Sequence, residues 1–163
     1  MTRELTGFEV LQIAEGMERD AAKFYRRAAE IYNDPSISKL FSDLAQWEER
    51  HVQVFAGMRD RFSEQAWERG RYSPDRIDVS RLGVPPAVFS EHSEPAKELT
   101  GNETRADVLR LAIQKERYTL GYYTALTELA LGQDNIKVIR SILQEEGRHV
   151  RILAQSLKQN ADY

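Results

Sequence analysis

The chain reads as an all-α protein, a four-helix bundle made of two repeated helix hairpins joined by a long crossover. Three observations carry that reading. The sequence superposes on itself at an offset of 98 residues, Thr6 falling on Thr104. Each half shows apolar stripes at helical spacing on either side of a turn signal. Between the halves, residues 70–102 hold four of the five prolines and show no sustained periodicity. The 163 residues are read as one domain, with a helix pair over 5–69, a crossover linker over 70–102 and a second helix pair over 103–159.

The repeat is more than a shared amphipathic pattern. Val10, Leu11 and Ala14 meet Val108, Leu109 and Ala112, and Leu40, Phe41, Leu44 and Phe55 meet apolar residues in kind. Two amphipathic chains aligned by chance would share that much. They would not also bring Glu18 onto Glu116, Glu48 onto Glu146 and Arg50-His51-Val52 onto Arg148-His149-Val150 in one ungapped register. Tyr25 meets Tyr123 in the same frame.

The elements follow in order. Thr6 and Glu9 have the capping-box spacing, and Leu11, Ala14, Glu18, Ala21, Tyr25, Ala28 and Tyr32 then form one helical stripe. Asn33-Asp34-Pro35 is a turn in which Asp34 suits an N-cap and Pro35 the first helical position. The second helix carries Ile37, Phe41, Leu44, Glu48, His51, Phe55 and Met58, spaced alternately by four and three. In the second half Thr104 and Asp107 echo the cap. The stripes there are Leu109, Ala112, Glu116, Thr119, Tyr123, Leu126 and Ile139, Ile142, Glu146, His149, Leu153, with Gly132-Gln133-Asp134 as the turn.

Antiparallel helices mirror about their turn. The midpoint of 18 and 48 is 33, and that of 116 and 146 is 131, so Glu18 faces Glu48 and His51 while Glu116 faces Glu146 and His149. Each level lies about 23 Å from its turn. For the two levels to coincide, the second and third helices must run parallel. The crossover then returns on the order of 40 Å, which roughly 13 extended residues would span. The segment is longer than that, so part of it is expected to pack on the bundle or form short helices.

Composition excludes several classes of function. An apolar share of 41% and a charged share of 30% mark a soluble globular domain. A net charge of -3 without a basic run argues against nucleic acid. No apolar stretch approaches a membrane span and the first residues lack a signal-peptide core, so a cytoplasmic protein without membrane contact is expected. With no cysteine there is no thiolate metal site, disulfide or thiol redox centre.

Glu-x-x-His on a helix sets a carboxylate and an imidazole one turn apart on one face. Two such motifs, with one Glu from each of the other helices, are how a four-helix bundle holds a pair of metal ions. A single copy is usually a solvated pair. Here both copies lie in core stripes, use two of the three histidines, and follow a core Glu by the same spacing, 18 to 48 and 116 to 146. Four carboxylates at one level of an apolar core cannot all stay ionised. Two divalent cations would cancel them, and the core stripes offer no Lys or Arg instead. The competing reading is a protonated, hydrogen-bonded layer that only sets register. The candidate ligands are Glu18, Glu48, His51, Glu116, Glu146 and His149. Oxygen and nitrogen donors without sulfur suit iron or manganese, with zinc and cobalt possible in vitro, and two iron ions are expected. Six side chains on two ions leave coordination positions for dioxygen or peroxide.

The segments MERDAAKFY and KERYTLGYY, around Glu18 and Glu116, and WEERH and EEGRH, ending at His51 and His149, resemble the rubrerythrin branch of the ferritin-like di-iron carboxylate family. The similarity spans both helix pairs. It implies a ferritin-like bundle in which Glu48 and Glu146 bridge the metals, Glu18 and Glu116 are terminal, and each metal has one histidine. It also implies a non-haem di-iron oxidoreductase that reduces peroxide or dioxygen with an external electron donor. Two departures bear on this. Thr119 stands where rubrerythrins carry a further carboxylate, and a chain without cysteine has no rubredoxin-like iron module. The six-residue set resembles that of bacterioferritin more closely. An iron-binding or ferroxidase protein and a non-catalytic metal-stabilised bundle are therefore the alternatives. A homodimer is expected.

Tyr25 and Tyr123 lie two turns from Glu18 and Glu116 on the same face. Either they hydrogen-bond a ligand carboxylate from another helix, or they are core tyrosines whose hydroxyls find other partners. Trp47 and Glu145 precede the two ligand glutamates and break the symmetry of the halves. Glu145 is expected on the surface, with orientation of a histidine as its alternative role. His92 in the linker is expected to be a solvated loop residue, and Arg26-Arg27 and Arg59-Asp60-Arg61 ordinary charged faces.

Overall fold

Helix α1 (Gly7–Ile31) starts on a capping box: Thr6 Oγ1 accepts from the Glu9 amide at 3.1 Å, and the Glu9 carboxylate accepts from the Thr6 amide at 2.7 Å. Helix α2 (Pro35–Glu68) is capped by Asp34, whose Oδ1 accepts from the amides of Ser36 at 2.9 Å and Ile37 at 3.2 Å. Helix α3 (Arg105–Leu126) repeats the capping box with Thr104 and Asp107, and α4 (Gln133–Asn160) follows Gly132, whose φ of 86° favours glycine. The structure, a computed structural model, describes residues 4–68, 76–78, 99–129 and 131–160, with side chains described over 5–62, 99–129 and 131–159. His92 and most of the 70–102 linker lie outside the described residues.

Within each half the helices form an antiparallel hairpin, and the halves are stitched together by long-range contacts. Tyr25 and Tyr123 link α1 to α3 in antiparallel sense, and Tyr122 Oη donates to the Val10 carbonyl at 2.9 Å between the same helices. His51 meets Glu146 and His149 meets Glu48, an antiparallel contact of α2 with α4. Helices α2 and α3 therefore run parallel, as the coincidence of the two polar levels requires. Two apolar clusters fill the bundle. One gathers Leu11, Phe55, Met58, Tyr123, Leu126 and Ile139, and the other Phe24, Tyr25, Phe41, Leu44, Leu109 and Leu153. Glu18, Glu48, His51, Glu116, Glu146 and His149, all buried, lie along the helices between the residues of the two clusters. Among the described residues, no helix is long and apolar enough to cross a membrane.

Two features were not visible in the sequence pattern. Residues Glu4–Thr6 form strand β1, which pairs antiparallel with β2 (Arg76–Asp78) in the register Leu5 to Ile77. Three residues are too few to show a period of two, and the partner lies some seventy positions away. The reading of Arg59 as an ordinary surface charge is corrected as well. Its guanidinium, with that of Arg19, binds Glu15, a buried carboxylate on α1, and it also lies 5.8 Å from the centre of the exposed Phe8 ring.

Gly7, the first residue of α1, is buried under the Phe62 ring, and a Cβ built there would stand 2.3 Å from the ring. Gly7→Val should therefore cost about 1–3 kcal/mol in urea unfolding. Adding Phe62→Leu to that variant should recover a large part of the loss. Equal losses in the single and double variants would show that the ring is not what excludes a side chain.

Candidate metal centre

All six predicted ligands converge. Glu18 comes from α1, Glu48 and His51 from α2, Glu116 from α3, and Glu146 and His149 from α4, and every one is buried. Their donor atoms fall into two overlapping sets, Glu18 with Glu48, His51 and Glu146, and Glu116 with Glu48, Glu146 and His149. Within each set one atom per residue lies within 4.8 Å of all the others, close enough to share an ion. Glu48 and Glu146 belong to both sets. Each Glu-x-x-His motif turns its histidine Nδ1 inward. His51 Nδ1 stands 3.3 Å from Glu48, 2.8 Å from Glu146 and 3.6 Å from Glu18. His149 Nδ1 stands 3.1 Å from Glu146, 3.2 Å from Glu48 and 3.8 Å from Glu116.

Both tyrosines take up the ligand-binding role of the two weighed for them. Tyr25 Oη donates to Glu116 Oε1, and Tyr123 Oη donates to Glu18 Oε1. Each thus holds a carboxylate of the opposite hairpin. Burial, then the nearby glutamate charges, pushes both phenols well above 10, so they remain donors. Phe41 stacks on Tyr25 and Phe55 packs against Tyr123, which limits where the hydroxyls can point.

The donor set fits a cation. Glu18 Oε2, Glu48 Oε1 and Glu146 Oε1 are buried and have no hydrogen-bond partner among the described residues. Glu146 Oε1 lies 2.8 Å from His51 Nδ1, yet is not aligned to accept from it. Each such unmade bond costs about 1–3 kcal/mol, a cost that an ion ligated by those oxygens removes.

The core holds no buried Lys or Arg among the described residues, as expected, and the positive partners nearest the carboxylates are the two histidines themselves. Burial first, then repulsion from Glu48, pushes Glu18 and Glu116 well above the ordinary carboxylate range. Burial acts the same way on Glu48 and Glu146, but the two histidines beside them outweigh it and hold both below 4.5. Burial disfavours the imidazolium of His149, yet the nearby carboxylates of Glu146 and Glu48 raise it to about 9. His51, close to Glu146, Glu18 and Glu48, is raised as well. These directions favour protons on Glu18, Glu116 and the two imidazoles when no cation is present. Four protons exchanged for two divalent ions would leave the charge of the layer unchanged.

Two positions set aside by sequence reasoning also reach the centre. Glu145 is part-exposed, and its carboxylate lies 3.2 Å from His51 Nε2, so its role is orientation of a histidine rather than the expected solvated surface position. Trp47 stacks on His149 at 5.0 Å between centroids and 11° between planes. The signal for both was the broken repeat, since Trp47 and Glu145 are equivalent at the 98-residue offset.

Zinc binding near neutral pH should release close to four protons per two ions, read by calorimetry in buffers of different ionisation enthalpy. Release near zero would mean that the ligands are already deprotonated. For the metal-free protein the sign is fixed by the raised groups. His149, at about 9 folded against 6.5 unfolded, contributes stability that is full below 6.5 and lost as pH rises through 9, on the order of 3 kcal/mol. Glu18 and Glu116, raised in the same direction, begin to lose theirs above 4.5. Melting temperature in chelator should fall between about pH 5 and pH 9, and the gain from added zinc should widen over the same range. A flat profile in chelator overturns this assignment of protons.

No curated protein matches the chain. A solved structure from Thermotoga maritima, assigned provisionally as a ferritin-like diiron-carboxylate protein, superposes with a TM-score of 0.78 at 23% identity. The match covers 98% of this chain and 99% of that one, and at such identity it establishes the shared fold. The profile of the ferritin-like domain matches residues 6–159, nearly the whole chain. With four helices enclosing a carboxylate and histidine layer, the chain belongs to the ferritin-like domain family.

Proposed function

We propose that the chain is a non-haem di-iron protein that reduces peroxide or dioxygen with electrons from an external donor, close in kind to the rubrerythrins. The observation that carries this reading is the pair of overlapping ligand sets that share Glu48 and Glu146. The diiron-carboxylate description of the Thermotoga maritima structure supports iron as the metal. Bound there, a ferrous pair would supply the two electrons that reduction of hydrogen peroxide to water takes up with two protons. The residues of the chain would do the rest. Glu48 and Glu146, common to both sets, would hold both ions, while Glu18 and Glu116 would each hold one, kept in place by Tyr123 and Tyr25. The apolar clusters above and below keep bulk water from the layer. Electrons must come from a separate donor, since the chain has no cysteine for an iron module of its own. A homodimer in the cytoplasm, free of nucleic acid and membrane, completes the proposal, and analytical ultracentrifugation tests the dimer.

The second reading is ferroxidase or iron-binding chemistry. Thr119, in place of a further carboxylate, favours it by limiting the centre to six ligands. Iron loading far beyond two per chain would support this reading.

The shared ligands predict a split among variants. Glu18→Ala should retain about one metal ion per chain by elemental analysis, while Glu48→Ala, which touches both sets, should fall well below one. Equal losses in the two variants would argue against bridging by Glu48. For the chemistry, anaerobic di-ferrous protein is mixed in stopped flow with peroxide and, separately, with dioxygen, following the near-ultraviolet absorption of the oxidised centre. Faster oxidation by peroxide, stalling after one round until reductant is added, supports the peroxidase reading. Faster oxidation by dioxygen moves the assignment to ferroxidase or oxygen activation. If neither oxidant acts within minutes, the redox assignment is wrong.

A further inference from the structure

The repeat places Trp47 and Glu145 at equivalent positions, and each reaches across to the histidine of the other half. Their chemistries are unlike. Glu145 Oε2 lies 3.2 Å from His51 Nε2, the ring nitrogen facing away from the carboxylates. Glu145 can accept from Nε2–H, which leaves Nδ1 as the ring nitrogen that faces Glu18, Glu48 and Glu146 and would ligate an ion held among them. The equivalent contact on the other side is a stack: the indole of Trp47 lies flat on the His149 ring. Among the described residues, no acceptor meets His149 Nε2.

We propose that this substitution makes the two metal positions unequal, so that the Glu18–His51 position fills first and the Glu116–His149 position second. The inference rests on the two-metal reading of the site. An imidazole whose outer nitrogen is bonded to a carboxylate is a more basic, pre-oriented ligand, and loss of such a partner typically weakens metal binding about 10- to 100-fold. Glu145 is part-exposed, with a side chain 44% accessible, which sets the expectation near the lower figure. The stacked ring of His149 has its plane fixed by Trp47 but gains no such basicity. The two candidate ligand sets otherwise match, each with one Glu of its own, one tyrosine holding it and the same two shared carboxylates. Glu145 is thus a positioning residue for one ion only, and Trp47 is a built-in reporter of the other.

The test uses Trp67→Phe protein, in which Trp47 is the remaining tryptophan, titrated anaerobically with cobalt(II). Cobalt binding is followed by its visible absorption and by quenching of Trp47 fluorescence. Two resolved equivalents are expected, with most of the quenching in the second. Glu145→Gln should weaken the first equivalent about 10-fold, leave the second nearly unchanged, and spread quenching over both. Glu145→Asp should restore part of the separation. Two equivalents that quench evenly from the start, with Glu145→Gln without effect, overturn the inequality and leave the two-metal reading standing. No cobalt binding at all overturns that reading, and this inference with it.

Discussion

Four carboxylates buried at one level of an apolar bundle are the constraint to which the rest of the structure answers. Desolvation penalises each charge and mutual repulsion adds to the penalty, so the layer exists only with compensating positive charge or protons. The chain supplies both possibilities within the same six side chains. In one, protons on Glu18, Glu116 and the histidines are favoured, as the raised pKa values of these groups indicate. In the other, cations would stand in for those protons. The same electrostatics that make the layer costly when unbalanced make it a candidate site for divalent cations.

That constraint explains the aromatic side chains around it. Tyr25 and Tyr123 reach across the bundle, so each hairpin holds in position a carboxylate belonging to the other. Register between hairpins is thus tied to the geometry of the site. A slip by one turn would leave two phenols and two carboxylates buried without partners, at about 1–3 kcal/mol each. The apolar clusters on either side supply burial, but many apolar registers would serve them nearly as well. The polar layer discriminates among those registers.

The duplicated hairpin is a near two-fold frame whose departures carry the functional detail. The Trp47 and Glu145 pair gives the two histidines different partners. Outside the layer, the second hairpin turns earlier, since α3 ends at Leu126 where the repeat of Ile31 would carry it to 129. The frame tolerates this because the polar level is held by contacts between hairpins rather than by the turn.

Helix existence, both capping boxes, the parallel run of α2 and α3 and all six candidate ligands were legible in the amino-acid order. Each depends on local periodicity or on a repeat that a single chain displays in full. The strand pair of Leu5 with Ile77, the burial of Glu15 under Arg19 and Arg59, the contact of Glu145 with His51 and the stack of Trp47 on His149 were not. All four join residues on different elements, where the outcome depends on the rotation and distance of one element against another. Sequence determined which residues face the core and at what level. Only the tertiary structure decided which partner each side chain meets there, because helical spacing specifies a face and a height, while contact across the bundle follows from how those faces pack.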